Sequence, residues 1–359
     1  MEYLINSYYN YTDNLSGNIA REMIKLGVIL FLWLILLFVL QILIHEGGHF
    51  IIGLLTGYQF ISIRIFSFTV TWTGTKFKLC RYHVPGSLGQ CVMKPPQSNL
   101  KKEKIVLFLM GGILLEFFSG FIALILCLSP FPFSFLTRIV LFLFVFYTLG
   151  SALLNTIIDK TGNINNDGTS LFYLLQNRKA TISGITQLAI TAKIHSGLTY
   201  KAMPEDIFLL SEREELTNIF FAWHKILEFY YFLDTRQWAM AESCINLLEE
   251  VGGEQNHLLK ITILSEKLYL AIKMKRTPSV IEELYKILER DLKRGSLDFH
   301  FLRVRMSYEL YKDNSEDNKE KISKVLEERL MNYPYQGEAI FCCELIREMM
   351  EEDKVVNVA

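Results

Sequence analysis

The chain has 359 residues, of which 51% are hydrophobic, 13% aromatic and 21% charged, and its formal net charge is −1. This length is sufficient for two domains, and the near-neutral charge gives no reason to expect a nucleic-acid partner. The six cysteines include no CxxC pair, which excludes a small disulfide-stapled scaffold and predicts free thiols. Cys80, His83 and Cys91 could be combined into a second metal site, but a fourth ligand and the usual paired spacing are missing.

The two halves of the chain differ in composition. Long uncharged apolar runs dominate the first half, whereas the sequence from about Arg178 onward is dense in Glu, Lys and Arg. We expect a membrane domain at 23–177 and a soluble domain at 178–359. The polar segment 1–22 before them predicts an extracytoplasmic tail or a short interfacial helix.

The first apolar run starts near Leu26 and continues unbroken to Ile44, immediately before the pentapeptide HEGGH. It is too long for the core of a signal peptide and no small-residue cleavage site follows it, so we expect an anchored span at about 26–55. At a rise of about 1.5 Å per residue, His45 lies roughly 28 Å from the point of entry, near the far edge of the hydrocarbon. Gly57 is the expected stop of this helix.

HEGGH places two imidazoles on one face of a helix, because His45 and His49 are four residues apart. Both can therefore reach one metal ion, and Glu46 stands where a zinc hydrolase keeps its general base. Ionisable groups in a membrane helix cost free energy and by default indicate function. The alternative is a chance match at a helix end, and the position within an apolar run argues against it.

Residues 58–98 alternate apolar and polar residues between Gly and Pro breaks, which predicts two or more short strands joined by tight turns. This β-rich segment and its flank are strongly basic, with Glu103 as the acidic exception. The basic residues are Arg64, Lys76, Lys78, Arg81, Lys94, Lys101, Lys102 and Lys104. Short basic loops remain in the cytosol, so we expect this segment on the cytosolic side.

Two further spans are predicted at about 105–128 and 136–158. Three glycines in the second span allow close helix packing. Glu116, near the middle of that span, is either a site residue or a hydrogen-bonding partner of another helix. The third span ends in Asn155 and in a polar loop that contains Asp159.

Three spans and the basic loop together predict the topology. The N-terminus is outside, residues 57–104 are inside, residues 129–136 are outside, and everything after residue 160 is inside. Both histidines and the aspartates after the third span then reach the same cytosolic edge. We expect an integral multi-pass protein of a bacterial plasma membrane, with its C-terminal domain in the cytosol.

A catalytic zinc ion keeps three protein ligands and leaves one position for water. The third ligand must come from elsewhere in the chain, because no His or Glu follows HEGGH at the spacing of soluble zincins. Asp167 is favoured, since Gly168 lets the backbone turn there, and Asp159 is the rival. Glu46 would take a proton from the attacking water and pass it to the leaving amine of a peptide.

The soluble half is predicted to be helical throughout, because apolar positions recur at intervals of three and four residues. The predicted helices occupy 223–251, as a pair joined at Asp234-Thr235, and then 257–274, 279–294, 300–312, 320–333 and 337–351. Helix pairs of roughly forty residues favour a helical-hairpin solenoid similar to tetratricopeptide repeats. The alternative is an irregular helical bundle.

Residues 26–175 resemble the site-2 protease family of intramembrane zinc metalloproteases. The resemblance rests on HEGGH in the first span, the β-rich segment, the Gly-Gly second span and an Asn…Asp-Gly element ending the third. It implies a three-helix core that cleaves transmembrane or membrane-proximal segments near the cytosolic face. It also implies one Zn²⁺ held by His45, His49 and Asp167, with Glu46 as the base. Asn155 matches the asparagine that begins the family's Asn-x-x-Pro…Asp-Gly motif.

The chain departs from that family at several positions. Ile158 stands where a proline is expected, and the gap from Asn155 to Asp167 is longer than usual. In the second span Ile113 follows Gly-Gly where a proline is expected, and Glu116 replaces an asparagine. These differences concern substrate positioning rather than zinc, and they indicate a divergent branch.

The predicted fold class is therefore mainly α, with a polytopic three-helix metalloprotease core, a small β-rich segment and a soluble α-helical repeat domain. The predicted function is zinc-dependent endopeptidase cleavage of a membrane-anchored protein or peptide precursor, and the lipid bilayer surrounds the core. No PDZ-like domain lies between the spans, so the repeat domain, which could bind a cytosolic protein or peptide, is the candidate for substrate selection.

Two other functions were considered. A non-catalytic membrane-anchored helical-repeat scaffold would have no need of a base such as Glu46. A transporter or immunity-type protein could use Glu116 and the histidines as an ion path, but three spans are few for that.

Overall fold

A computed structural model gives the fold and describes residues 2–84, 86–96, 102–158, 166–176, 178–210, 214–251, 257–294 and 298–356. The described chain is mainly helical and contains a small antiparallel sheet. Three of its helices are long and apolar enough to cross a membrane, at Arg21–Thr56, Lys102–Leu128 and Phe135–Thr156. These correspond to the three predicted spans.

The first helix, α1, runs from Glu2 to Thr56 without interruption. The backbone of segment 2–22 is therefore helical and continuous with the first span, while its place outside the cytosol stays a prediction. No proline interrupts this part of the sequence, so nothing in the backbone forces the helix to end.

α1 ends at the glycine predicted to stop it. Gly57 has a φ of +91°, a left-handed conformation that glycine adopts without strain. Its N–H donates to the Leu54 carbonyl at 3.1 Å, and the N–H of Tyr58 donates to the Gly53 carbonyl at 2.9 Å. This pair of bonds is a Schellman cap, which satisfies the last carbonyls of the helix and turns the chain into the sheet.

Four strands follow α1, as the alternating pattern predicted. They are β1 Gln59–Ile65, β2 Phe68–Trp72, β3 Phe77–Arg81 and β4 Gly89–Lys94. The strands are antiparallel in the order β3-β2-β1-β4, so β4 pairs with β1 and forms one edge of the sheet. The β3–β4 connection brings the start of β4 to the HEGGH region of α1.

Two helices, α2 Lys102–Leu128 and α3 Phe135–Thr156, pack with α1 to form a three-helix bundle. Glycines determine how closely α1 and α2 approach. A Cβ on Gly48 would lie 2.2 Å from the carbonyl oxygen of Gly111, and a Cβ on Gly112 would lie 2.6 Å from the His45 ring. The two backbones therefore touch at the HEGGH motif, which only small residues permit.

The two adjacent glycines of the motif allow a matched test of this contact. We expect Gly48→Ala to separate α1 from α2, lower the thermal unfolding temperature in detergent and reduce bound zinc. Gly47→Ala should retain both properties, because a Cβ on Gly47 meets no atom within 4 Å. Unfolding scans and metal analysis of both variants provide the measurement, and equal behaviour of the two would contradict the close crossing.

The remainder of the chain is helical. Its α-helices are α4 Asp167–Leu175, α5 Arg178–His195, α6 Ile219–Asp234, α7 Trp238–Val251, α8 His257–Lys273, α9 Pro278–Arg294, α10 Phe299–Lys312, α11 Glu316–Leu330 and α12 Gln336–Val356. Three short 3-10 helices lie at Tyr200–Ala202, Glu205–Ile207 and Glu214–Thr217. Every helix predicted between residues 223 and 351 is present.

The starts of α6, α8, α10 and α12 recur at intervals of about forty residues, as in helical-hairpin repeats. α6 packs on α7, α8 on α9, and α10 on both α8 and α12. The assignment to a tetratricopeptide-like solenoid stays a prediction.

The sheet packs on this helical domain partly through one aromatic side chain, Tyr82, and partly through apolar contacts of β1 and β4 with α5. The ring of Tyr82, just after β3, lies edge-on to Tyr333 and Tyr335, with centroid distances of 5.3 and 5.4 Å. Its hydroxyl donates to Asp298 Oδ2 at 3.3 Å, and Lys78 Nζ donates to the Met331 carbonyl. The β3–β4 connection therefore joins the helical domain to the part of the sheet nearest α1.

Candidate metal centre

Three side-chain atoms from distant parts of the sequence converge at one end of the helix bundle. Asp167 Oδ2 lies 3.0 Å from His45 Nε2 and 3.2 Å from His49 Nε2, and the two Nε2 atoms are 3.3 Å apart. The two imidazoles come from α1 and the carboxylate comes from the first residue of α4. Within the described residues this is the one group of three such side chains placed to share a metal ion.

The dimensions of this triangle fit a first-row divalent metal. With zinc bonds of about 2.0–2.1 Å, two ligands of a tetrahedral site are about 3.3 Å apart, close to all three observed separations. Asp167 Oδ2 is buried and has no hydrogen-bond partner of adequate geometry, although both imidazoles are near it. Buried polar atoms are rarely left unpaired, and a cation is the partner that this atom lacks. The residues present therefore fit Zn²⁺.

Asp167 is ionised in this arrangement. Burial raises the pKa of its carboxyl, but the contacts with His45 and His49 lower it more, so the net pKa lies below its usual range. An ionised carboxylate is the form that ligates a metal.

Local contacts at the start of α4 position this carboxylate. Asn166 caps the helix, and its Nδ2 donates to the carbonyls of Leu154 and Ile157 at the end of α3. A Cβ on Gly168 would lie 2.4 Å from the Thr156 carbonyl oxygen, so α4 can approach α3 only with glycine there. The Asp-Gly pair predicted from the sequence thus places a carboxylate beside the two histidines and permits its approach. Asp159, the rival ligand, lies outside the described residues.

An oxygen atom lies behind each histidine, close to its Nδ1. His49 Nδ1 lies 2.8 Å from the Phe108 carbonyl, which can only accept, so this nitrogen carries the proton and leaves Nε2 free. His45 Nδ1 lies 3.2 Å from Glu116 Oε2. Such outer contacts fix the tautomer and the ring orientation of a metal-ligating histidine.

Glu116 contacts His45 and also hydrogen-bonds the two neighbouring helices, so its position is compatible with both predicted roles. It is fully buried, at 0% exposure. Its Oε1 accepts from Gln41 Nε2 at 2.5 Å and from Ser151 Oγ at 2.7 Å, which connects it to α1 and α3. Its Oε2 contacts His45 Nδ1, but this contact does not have the geometry of a hydrogen bond.

We expect Glu116→Gln to weaken zinc binding by roughly ten- to a hundredfold, the usual effect of losing an outer partner of a ligating histidine. The amide keeps the shape of the side chain and removes the charge that faces His45. Competition with a chromophoric chelator measures the affinity. Ser119→Ala on the same helix is the control, because its hydroxyl bonds only a backbone carbonyl. An unchanged affinity in Glu116→Gln would restrict Glu116 to a structural role.

Asn155 lies beside the centre but does not reach the triangle. Its Nδ2 is 3.5 Å from His45 Nδ1 and donates to Ser151 Oγ at 3.3 Å. The structure thus places it behind His45, at the edge of the same cavity.

Glu46 is the carboxylate of the motif and is not one of the three converging groups. It is 6% exposed and lies against Gly89, where an added Cβ would be 2.3 Å from its Oε1. It lines a cavity of about 820 Å³ together with both histidines and Asp167, which we call the metal cavity. The structure therefore places the predicted base in the same cavity as the three converging side chains.

Sequence reasoning missed the residues that support the site from other elements. Arg64 of β1 is 2% exposed and donates to Ser87 Oγ at 2.7 Å and to the carbonyls of Ser87 and Gly89 at 3.0 and 3.3 Å. It thereby holds the start of β4 against Glu46. Gln41 was also missed. A polar side chain four residues before His45 in an apolar run was a usable signal, by the same reasoning that identified Glu116.

The second metal site considered from the cysteines does not form. Cys80 on β3 and Cys91 on β4 lie on opposite edges of the sheet, about 14 Å apart at the usual strand spacing. All six cysteines are free, as predicted.

The chain was compared with models of protein families, with curated proteins and with solved structures, and no match was found in any of the three. The resemblance to site-2 proteases therefore stays a prediction from the motifs.

Proposed function

We propose that this protein is an intramembrane zinc metalloendopeptidase that hydrolyses peptide bonds in a membrane-anchored protein or peptide precursor. One observation supports the proposal most strongly. The two imidazoles and the Asp167 carboxylate form a triangle of ligand size, and Glu46 lies beside it in a large cavity. A purely structural metal site needs neither the cavity nor the additional carboxylate.

A bound zinc ion supplies Lewis acidity, which makes a peptide carbonyl more electrophilic. Glu46 accepts the proton of the attacking water on its carboxylate and then donates it to the leaving amine. Glu116 and the Phe108 carbonyl keep the two imidazoles oriented throughout, so the ligands need not reorganise during the reaction.

The position of the centre supports cleavage near one membrane face. Phe108 and Gly112 lie six and ten residues after Lys102, the first residue of α2, which corresponds to about 9–15 Å along the helix. Asn155 is one residue before the last residue of α3. The sheet and the helical domain extend from this same end of the bundle. The basic character of residues 57–104 makes it the cytosolic end under the positive-inside rule.

Metal removal tests the proposal. We expect the purified protein in proteoliposomes to cleave tagged reporters that contain a single transmembrane helix. The last turn of that helix carries Gly or Pro to destabilise it, because hydrolysis requires an extended backbone. Incubation with 1,10-phenanthroline should abolish cleavage, and added Zn²⁺ should restore it. Gel analysis of the reporter and metal analysis of the protein are the measurements. Cleavage that persists when the protein contains no metal would contradict the proposal.

A further inference from the structure

The helical domain contains a cavity that plays no part in the chemistry proposed above. Its volume is about 270 Å³, and helices α5, α6, α8, α10 and α12 line it. Its walls combine aromatic rings, notably Trp223, Tyr230 and Tyr335, with the carboxylates of Asp298 and Glu338. We call it the acidic cavity.

The two carboxylates lack a lysine or arginine partner within the described residues. Asp298 Oδ1 accepts from the N–H of His300 at 2.9 Å, which caps α10, and its Oδ2 receives only the Tyr82 hydroxyl. Glu338 Oε1 accepts from the Tyr333 hydroxyl at 2.5 Å, and its Oε2 lies 3.4 Å from His300 Nε2. The third carboxylate on this wall, Glu266, is already paired with Arg303.

One histidine cannot neutralise both groups. Burial lowers the pKa of His300, but the charge of Glu338 raises it further, so His300 is cationic and offsets Glu338. Burial, and next the charge of Glu338, raise the pKa of Asp298 to about 6, although His300 and the N–H groups of His300 and Phe301 lower it. Among the described residues, the acidic cavity therefore holds these two carboxylates beside one imidazole. A cation that enters beside Asp298 would lower this pKa and stabilise the carboxylate.

A third space lies between the acidic cavity and the metal cavity. This middle cavity, of about 280 Å³, shares the lining residues Gln187, Trp223 and Leu258 with the acidic cavity. It shares Ser87 and Gln90, at the β4 edge, with the metal cavity. The three spaces are therefore neighbours in a series that runs from Glu46 past the start of β4 into the helical domain.

We propose that the cytosolic segment of the polypeptide substrate follows this series and places a cationic group in the acidic cavity. The cation is a Lys or Arg side chain or an N-terminal ammonium. This inference rests on the proposed function, because it concerns what selects the substrate of that enzyme.

The chemistry of the cavity matches this occupant. Aromatic walls cover the alkyl stem of a basic side chain and attract its charge through their ring faces. The carboxylates compensate the cation away from bulk water, where such interactions are least screened. A neutral residue in the same place would give Asp298 no second cationic partner, so the cavity discriminates by charge as well as by shape.

A binding experiment tests the inference without requiring cleavage. The protein is the full chain carrying Glu46→Gln, in detergent micelles. The probes are three C-terminally labelled decapeptides of Ala, Ser and Gly: one acetylated with a central lysine, one acetylated with norleucine in its place, and one with norleucine and a free amino terminus. Fluorescence anisotropy gives each affinity, and empty micelles give the blank.

We expect the lysine peptide to bind at least tenfold more tightly than the acetylated norleucine peptide. The double variant Asp298→Asn, Glu338→Gln should bind the lysine peptide only as weakly as the acetylated norleucine peptide. Asparagine at position 298 retains the helix cap of α10. Glu328→Gln, which removes one carboxylate on the exposed face of α11, should leave the affinity for each peptide unchanged. The free-amine peptide shows whether an N-terminal ammonium is accepted as well as a side chain. Circular dichroism verifies that each variant is folded.

Two results would overturn the inference: equal binding of the lysine and acetylated norleucine peptides, or unchanged binding of the lysine peptide in the double variant. If cleavage still depends on Glu46, either result would exclude the acidic cavity as a substrate site without affecting the proposed endopeptidase function. If binding depends on lysine but no cleavage depends on Glu46, the endopeptidase function is excluded and a peptide-binding domain is supported.

Discussion

Glu46→Gln is expected to abolish peptide-bond cleavage while the protein keeps about one zinc ion per chain. The amide fills the same space beside Gly89 but cannot take a proton from the attacking water. Loss of a general base lowers the rate by about 10²–10⁴-fold. The metal should remain, because the ligand atoms belong to His45, His49 and Asp167.

Reporter cleavage in proteoliposomes and elemental analysis of the same preparation measure the two properties together. Glu22→Gln is the matched control, since it makes the same change on the same helix in a side chain that is 69% exposed and pairs only with Lys25. The control should cleave at the parental rate. A Glu46→Gln protein as active as the parent would exclude Glu46 as the base.

Asp167→Ala is expected to lose the metal, and with it all cleavage. The substitution removes one of the three converging atoms, and two imidazoles four residues apart on one helix do not form a complete zinc site. After dialysis against a weak chelator we expect the zinc content to fall below roughly a tenth of an ion per chain. Inductively coupled plasma mass spectrometry of the detergent-solubilised protein provides the measurement.

Asp159→Ala serves as the comparison, because sequence reasoning left that residue as the rival ligand. It should keep its zinc and its activity, since the structure already completes the triangle with Asp167. Loss of zinc in Asp159→Ala but not in Asp167→Ala would reverse the assignment. Asp167→Asn adds a second measure, since a neutral amide oxygen keeps the shape but binds zinc more weakly than a carboxylate.

The features that depend on neighbouring residues could be predicted from the sequence alone. The spacing of His45 and His49 is sufficient to place both rings on one side of α1, because helix geometry is local. The same is true of the left-handed stop at Gly57, of the alternating strands and of the helices after residue 219. The backbone of segment 2–22 is helical, and its assignment as an extracytoplasmic tail or a short interfacial helix stays a prediction.

The features that depend on contacts between distant residues were decided by the tertiary structure. Glu116 was recognisable as an unusual group in an apolar helix, but only the packing of α2 against α1 and α3 shows that it contacts His45. The convergence of Asp167 on the two histidines depends on the approach of α4 to α3 that Gly168 permits.

Residue types and spacing thus indicated the predicted chemistry of HEGGH, because one turn of helix is enough to bring two imidazoles and a carboxylate close together. The position of Asp167, the contacts behind each imidazole and the neighbouring cavities that reach Asp298 depend on how closely the helices approach. Glycine contacts between residues far apart in the chain control that approach, and no local pattern encodes it.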